Sequence, residues 1–347
     1  MKTAIIVSLN FNPGHVSHMV ASYKQCEELG YKSILYIHPQ FKEYLPKGIE
    51  FLCYREEKLL NPSLAMILFP SLNNLKLIRA LKAGGAKVVY VFHEPLADFS
   101  EYRRSGFSIM ALFKLWVANR VSAWTVKKSD VVILPSRKAL QYYRSNTLYK
   151  NDNYHYLPLM YDDESYEFDL ARKREYFSYI GTIAADHSFN EYLHFVQWAL
   201  KNNRLPDLKF LIATKSKFDL PEDMINSARV VVQSGRPLLD NEINDFYSQS
   251  IAVWNAYART TQSGVLAKSF MFGTPVLVLE KNENEFASDS VEGKLISDNK
   301  DEIQIESAIQ EIALNFESYK NNCRERFLST FYYKNYNSKI EEMLRRY

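Results

Sequence analysis

The chain has 347 residues, 47% of them apolar and 24% charged, with only 11 Gly and 12 Pro. This composition excludes collagen-like, low-complexity and disordered chains, and the length suits two domains better than one core. The net charge of +3 is unevenly shared: residues 1–160 hold 21 Lys/Arg against 11 Asp/Glu, whereas 161–347 hold 22 against 29.

The first apolar run, residues 4–9, soon meets Asn-Phe-Asn-Pro and is too short for a signal peptide, so it predicts a buried strand. A Pro-Gly loop and a helix ending near Gly30 follow. Further short apolar strands are expected at 33–38, 66–69, 87–92 and 131–134, with a helix ending at Gly84-Gly85 and another restarting after Pro135-Ser136. The acidic, polar stretch 161–169 reads as a linker. The alternation then resumes, with strands at 176–180, 209–213, 229–232, 251–254 and 275–279 and a mostly polar helical tail over 301–347. Strands buried on both faces and separated by helices predict parallel sheets covered on both sides. The fold class is therefore α/β, two Rossmann-like doubly wound domains facing a cleft, with ligands beyond the carboxyl ends of the strands.

Several function classes fall away. Cys26, Cys53 and Cys323 are scattered, with no CxxC spacing, so neither a disulfide framework nor a structural zinc site is expected. His15 and His18 have ligand-like spacing, but no carboxylate or Cys nearby completes a site, and no metal is expected. No run of about 18 apolar residues offers a membrane span. The reading is a cytoplasmic protein, with the option of a peripheral place on the inner face of the cell membrane. The basic half could meet nucleic acid, yet it carries neither an aromatic RNA-binding signature nor a helix-turn-helix pattern, so no nucleic-acid partner is expected.

The most informative segment is 259–276, Arg-Thr-Thr-Gln-Ser-Gly-Val-Leu-Ala-Lys-Ser-Phe-Met-Phe-Gly-Thr-Pro-Val. A polar turn opens a helix that closes at Gly273, and Pro275 starts a buried strand. Backbone N–H groups at a helix N-terminus suit a diphosphate, and Gly264 lets backbone approach a ligand closely. The alternative is an ordinary helix capped by Ser263 or Thr261.

This segment resembles the C-terminal signature of GT-B glycosyltransferases, in particular retaining glycosyltransferase family 4, which ends in Gly-Thr-Pro-Val before a strand. The resemblance places the family's two carboxylates on Thr260 and Lys268, so both are replaced here. A Gln-Ser-Gly-Val-Leu turn resembles a variant of the pattern. The resemblance implies donor contacts from Thr261, Gln262, Ser263, Gly264, Val265 and Lys268; a cationic Lys268 faces phosphate or turns to solvent. Phe177-Ser-Tyr-Ile-Gly181 is similar to the strand and glycine that open the family's donor domain, with Thr182 and His187 where it has cations. Lys215 and Arg236, past predicted strand ends, are candidates to supply the missing charge.

In the first half, the Asn10–His18 loop resembles the family's acceptor loop, which assigns Gly14 and His15 to the acceptor. His93, directly after the strand at 87–92, matches a family histidine near the anomeric centre, and Glu94 would orient it or touch the acceptor. The resemblance implies domains at 1–165 for the acceptor and 170–325 for a nucleotide-sugar donor. A helix over 326–347 would cross back to the first. It further implies a metal-independent hexosyltransferase with no cofactor beyond its nucleotide-diphosphate-sugar co-substrate. Its function would be transfer of a sugar with retention onto a glycan or lipid-linked acceptor in bacterial surface polysaccharide synthesis. The substituted motif keeps a second reading open, a non-catalytic GT-B-like binding or scaffold subunit. Finally, residues 103–128 are apolar around much of a helix and edged by Arg103, Arg104, Lys114, Arg120, Lys127 and Lys128. They form either a core-packed helix or an interfacial one against an anionic membrane.

Overall fold

The computed structural model describes residues 2–57, 61–282 and 284–345. The chain forms two compact units, Met1–Asp162 with Phe331–Tyr347, and Asp163–Thr330. The switch between them thus lies at 162/163, and the return at 331 rather than at 326.

The first unit carries β1 (Thr3–Ser8), α1 (Val16–Glu28), β2 (Lys32–Ile37), β3 (Phe51–Cys53), β4 (Leu64–Ile67), α2 (Asn74–Ala83) and β5 (Lys87–Val91). It continues through α3 (Phe99–Arg104), α4 (Ile109–Lys128), β6 (Val131–Leu134), α5 (Arg137–Ser145) and β7 (Tyr154–Tyr156). All seven strands are parallel, in the order β3-β2-β1-β4-β5-β6-β7. Strands β4 and β6 are fully buried, as is β1 from Ala4 onward, as apolar runs covered on both faces must be. The edge strands β3 and β7 are three residues each, too short to stand out as a pattern. Ser136 caps α5 by accepting from Ala139 N at 2.9 Å, the restart that Pro135-Ser136 predicts.

The second unit carries β8 (Tyr176–Ile180), α6 (Phe189–Lys201), β9 (Lys209–Ala213), α7 (Glu222–Ile225), β10 (Val230–Gln233), α8 (Asp240–Ser248) and β11 (Ser250–Asn255). Then come α9 (Gly264–Met271), β12 (Val276–Leu279), β13 (Gly293–Ile296), α10 (Glu302–Leu314) and α11 (Phe316–Arg326). Its six parallel strands run β10-β9-β8-β11-β12-β13 around a core of Phe177, Tyr192, Phe195 and Trp254. β13 begins with Gly293, whose Cα faces Val276 so closely that a Cβ would lie 2.1 Å from the Val276 carbonyl oxygen. The tail returns as α12 (Asn337–Arg345), and Tyr333 and Asn337 bind Glu28 of α1; Arg346 and Tyr347 lie outside the described residues.

The acidic stretch expected as a linker carries the switch between the units, and its first carboxylates are held down. Asp162 pairs with Lys24 at 2.5 Å within the first unit, and Asp163 takes both guanidinium nitrogens of Arg324 within the second. Burial works against the Asp163 charge, but Arg324 and the Ser165 hydroxyl outweigh it and hold the carboxyl below its ordinary range.

The Gly273-Thr274-Pro275-Val276 motif has a structural role. Gly273 ends α9 with φ +64, the left-handed closure that favours glycine. Arg174, 7% exposed, donates to the Phe272 carbonyl at 2.6 Å and to Thr274 Oγ1 at 2.5 Å, while Thr274 donates to the Tyr247 carbonyl. Burial lowers the Arg174 guanidinium to about 10, still charged at neutral pH. A Cβ on Gly273 would sit 2.8 Å from Lys320 Cγ and 3.1 Å from the Lys320 carbonyl of α11. Gly273→Ala therefore combines a left-handed alanine with a backbone clash and is expected to cost about 2 kcal/mol, read as a lower urea midpoint.

Candidate functional site

In each sheet the strand order reverses once, and there the two outgoing loops diverge beyond the strand carboxyl ends. In the second unit the reversal lies between β8 and β11. β8 delivers Gly181, at φ +141, and Thr182; β11 delivers the turn 256–263 and the start of α9. The two loops are stitched together where Ala258 N donates to the Asp186 carbonyl at 2.8 Å. His187 donates from Nδ1 to the Thr182 carbonyl at 2.7 Å and stacks on Tyr257 with ring centroids 4.3 Å apart. His187 thus braces the loop.

Ser263 is the N-cap of α9, accepting from Leu266 N, and its hydroxyl also takes a hydrogen bond from Asn255 Nδ2 at 2.8 Å. With that hydroxyl committed to Leu266, the N–H groups of Gly264 and Val265 in the first turn are the ones a ligand can use. A Cβ on Gly181 would stand 3.5 Å from Val265 Cγ2, so the glycine loop and the helix start lie side by side. Thr261 is buried in the same turn, with Gln262 beside it half-buried. The structure thus brings Gly181, Thr182, Thr261, Gln262, Ser263, Gly264 and Val265 to one place.

The cations divide differently from expectation. Lys268 does not turn to solvent. Its ammonium is buried against Glu164 at 2.8 Å, Asp240 at 2.9 Å and Asn244 at 2.8 Å. Burial disfavours its charge, but the two carboxylates outweigh burial and raise its pKa. It holds α9 to α8 and is fully occupied in doing so, which removes it as a direct phosphate contact. Arg236 is exposed and makes a two-pronged pair with Glu242, at 2.5 and 2.9 Å. Lys215 is half-buried two residues past β9, and burial lowers its pKa. The cation that pattern reading passes over is Arg259. It is 3% exposed in the β11–α9 turn, with Nη1 4.0 Å from Asp186. Nothing in an Ala-Arg-Thr string signals burial; only the packing of the turn does.

In the first unit the reversal lies between β1 and β4. His15, His18 and His93 gather there around Phe69. His15 stacks on Phe69 with centroids 3.3 Å apart, Phe69 stacks on His93 at 4.6 Å, and His18 meets His93 edge-on at 5.4 Å. His18 is buried and donates from Nδ1 to the Met160 carbonyl at 2.8 Å, which leaves Nε2 as a lone pair. Burial lowers His18 to about 4, against that hydrogen bond. Burial first, then His18 and His15 nearby, push His93 well below its ordinary value, so both rings are neutral at pH 7. Glu94 is exposed. Gly14 is exposed with ordinary backbone, and a Cβ there would meet only Asn12 Oδ1 at 3.7 Å, so no turn requires glycine. Among the described residues no cluster of three or more His, Cys, Asp or Glu could hold a metal ion.

No family model matches the chain, and no curated protein sequence matches it. Solved structures do. Anabaena HepE, in complex with UDP-glucose, superposes with a TM-score of 0.72 at 12% identity over 100% of both chains. The chain has the GT-B glycosyltransferase fold. A glycosyltransferase from Rickettsia africae matches over 100% of both chains at 12% identity and TM-score 0.68. Sucrose-phosphate synthase from Thermosynechococcus elongatus matches at 13% identity and TM-score 0.67, over 100% of this chain and 99% of its own.

Two outcomes follow for stability. The unfolded state binds a proton on His18 at about 6.5 and the folded state only near 4, so stability falls as pH falls through that window. From pH 7 to pH 5 this one ring is expected to cost about 2 kcal/mol, and His18→Asn should flatten the urea-midpoint profile by that amount. Lys268→Met should destabilise by about 3 kcal/mol by stranding Glu164 and Asp240, with Glu164→Gln recovering part of the loss in a double-mutant cycle.

Proposed function

We propose that the chain is a glycosyltransferase that moves a sugar from a nucleotide-diphosphate sugar to a glycan or lipid-linked acceptor. One observation carries the reading: at the second unit's switch point, a glycine loop lies against the start of a capped helix, with a buried arginine in the intervening turn. The N–H groups of Gly264 and Val265 hold the diphosphate, and the backbone of Gly181 and Thr182 closes the other side. Arg259 supplies fixed positive charge in a low-dielectric turn, where it stabilises the diphosphate as it leaves. Lys215 adds charge from the neighbouring strand end. Arg236 joins only by exchanging Glu242 for phosphate. Thr261 and Gln262 face the sugar.

In the same reading the first unit holds the acceptor, with Gly14, His15 and Glu94 lining its loops and His93 beside the reacting carbon. A neutral His93 acts there by hydrogen bonding a sugar hydroxyl rather than as a cation. The family-4 resemblance adds hexosyl transfer with retention, without a metal, in bacterial surface polysaccharide synthesis. That HepE has been captured with UDP and with UDP-glucose makes UDP the first nucleotide to try.

For a site of about 10 μM, 1 mM UDP should stabilise the protein by roughly 2.7 kcal/mol, read as a rise in thermal midpoint. Gly264→Glu should abolish the rise by placing a carboxylate where the phosphates bind. Silence from UDP, GDP, ADP, CMP and dTDP alike would sink the donor-site reading. His93→Ala should keep the UDP shift and lower sugar transfer by about a hundredfold. The Lys268 cluster, standing where the resemblance places a family carboxylate, favours a second reading as a non-catalytic binding subunit. A UDP shift without turnover of any UDP-sugar would select it.

A further inference from the structure

Helix α4 is built inside out in its first half. Its buried positions are Asn119, Ser122, Thr125 and Val126, whereas Ile109, Met110, Phe113, Trp116 and Val117 are exposed by 80, 64, 60, 43 and 37%. Spacings of one, four, seven and eight put those five side chains on one face. The core-packed alternative therefore holds only for the C-terminal half, where Val126 enters the sheet core and Asn119 receives the Tyr149 hydroxyl.

The surroundings select what covers this face. Residues 103–150 hold ten Lys/Arg and a single acid, Asp130. Arg103 and Arg104 at the end of α3, and Lys114, Arg120, Lys127 and Lys128 on α4, are all exposed. Arg120 sits over the Trp116 ring at 5.1 Å, and Trp116 stacks beside Phe113. Trp and Phe with a fringe of Arg and Lys suit the boundary between headgroups and acyl chains, and a purely apolar protein partner would leave these cations desolvated without counter-charge.

The face continues into a groove of about 340 Å³. Phe113, Val117, Ala118 and Val121 of α4 form one wall and Leu72, 66% exposed, the other. Its polar end is Asn10 and Ser71, on the loops after β1 and β4, with Ser71 Oγ donating to Asn10 Oδ1 at 3.2 Å. The groove thus runs from the exposed face to the carboxyl-end loops of the first sheet.

We propose that α4 docks the protein on an anionic lipid bilayer, its apolar face entering the headgroup boundary, and that the groove takes the hydrocarbon chain of a lipid-linked acceptor from that bilayer. The polar head of the acceptor then lies at Asn10 and Ser71. The second half rests on the first unit being the acceptor unit; the docking half does not.

The test is flotation of the full chain with phosphatidylcholine vesicles, with and without about 30% phosphatidylglycerol. Wild type is expected to partition at least about tenfold better onto the anionic vesicles, and to lose most of that gain between about 0.1 and 0.5 M salt. Phe113→Ser with Trp116→Ser, both exposed and so neutral for folding, should lose about tenfold or more, and Lys114→Glu with Arg120→Glu should erase the anionic preference. Equal binding to both vesicle types, or variants that bind as wild type, would overturn the docking. For the groove the probe is dansyl-labelled dodecyl phosphate below its micelle concentration. Ala118→Trp should weaken it about tenfold while leaving flotation unchanged, and unchanged probe affinity would overturn the groove assignment. Neither readout requires UDP or turnover, so failure of the transferase reading would leave a distinct signature.

Discussion

The candidate sites at the two sheet edges descend from one constraint on parallel sheets. A parallel strand cannot turn back on its neighbour, so the chain crosses over through a helix, and all the outgoing loops emerge at the same edge. Where the strand order reverses, two such loops move apart and leave backbone N–H groups uncovered. In the second unit those loops carry Gly181 and the start of α9. The rest of that unit keeps α9 in place. Asn255 fixes the cap at one end, Arg174 gathers the carbonyls and Thr274 at the other, and Lys268 ties the middle to α8 and Glu164.

The scaffold gives new structural roles to the positions where the family-4 resemblance implies carboxylates and cations. The cation buried in the turn is Arg259, whereas Thr182 and His187 lie in the loop after β8. Those two residues are reused mechanically: the Thr182 carbonyl receives His187, and His187 stacks on Tyr257. Lys268 likewise supports α9 through Glu164, Asp240 and Asn244.

The first unit shows the same topology with a different lining. Its reversal point gathers three histidines around an aromatic ring, and burial keeps His18 and His93 neutral, which suits hydrogen bonding to hydroxyls better than binding phosphate. The apolar groove along α4 leads to the same edge. A polar-headed, hydrocarbon-tailed acceptor would match both ends of that arrangement.

The sequence by itself determined the architecture. Runs such as Val-Val-Tyr-Val and Val-Leu-Val-Leu are apolar at every position, which only a strand covered on both faces accepts, and the helices between them compel parallel order. It also located the turn at 260–264, because Ser-Gly before an apolar helix and Gly-Thr-Pro after it are local signals. Strands β3, β7 and β13 escaped, being three or four residues stabilised by a neighbouring strand rather than by their own pattern. What tertiary structure alone decided is which side chains are spoken for. Lys268 meets a glutamate 104 positions away, Arg259 is buried by a loop from another strand, and α4 turns its most apolar face outward. Charge and hydrophobicity are properties of residues, whereas partners and burial belong to the packed chain, and function at this site depends on the latter.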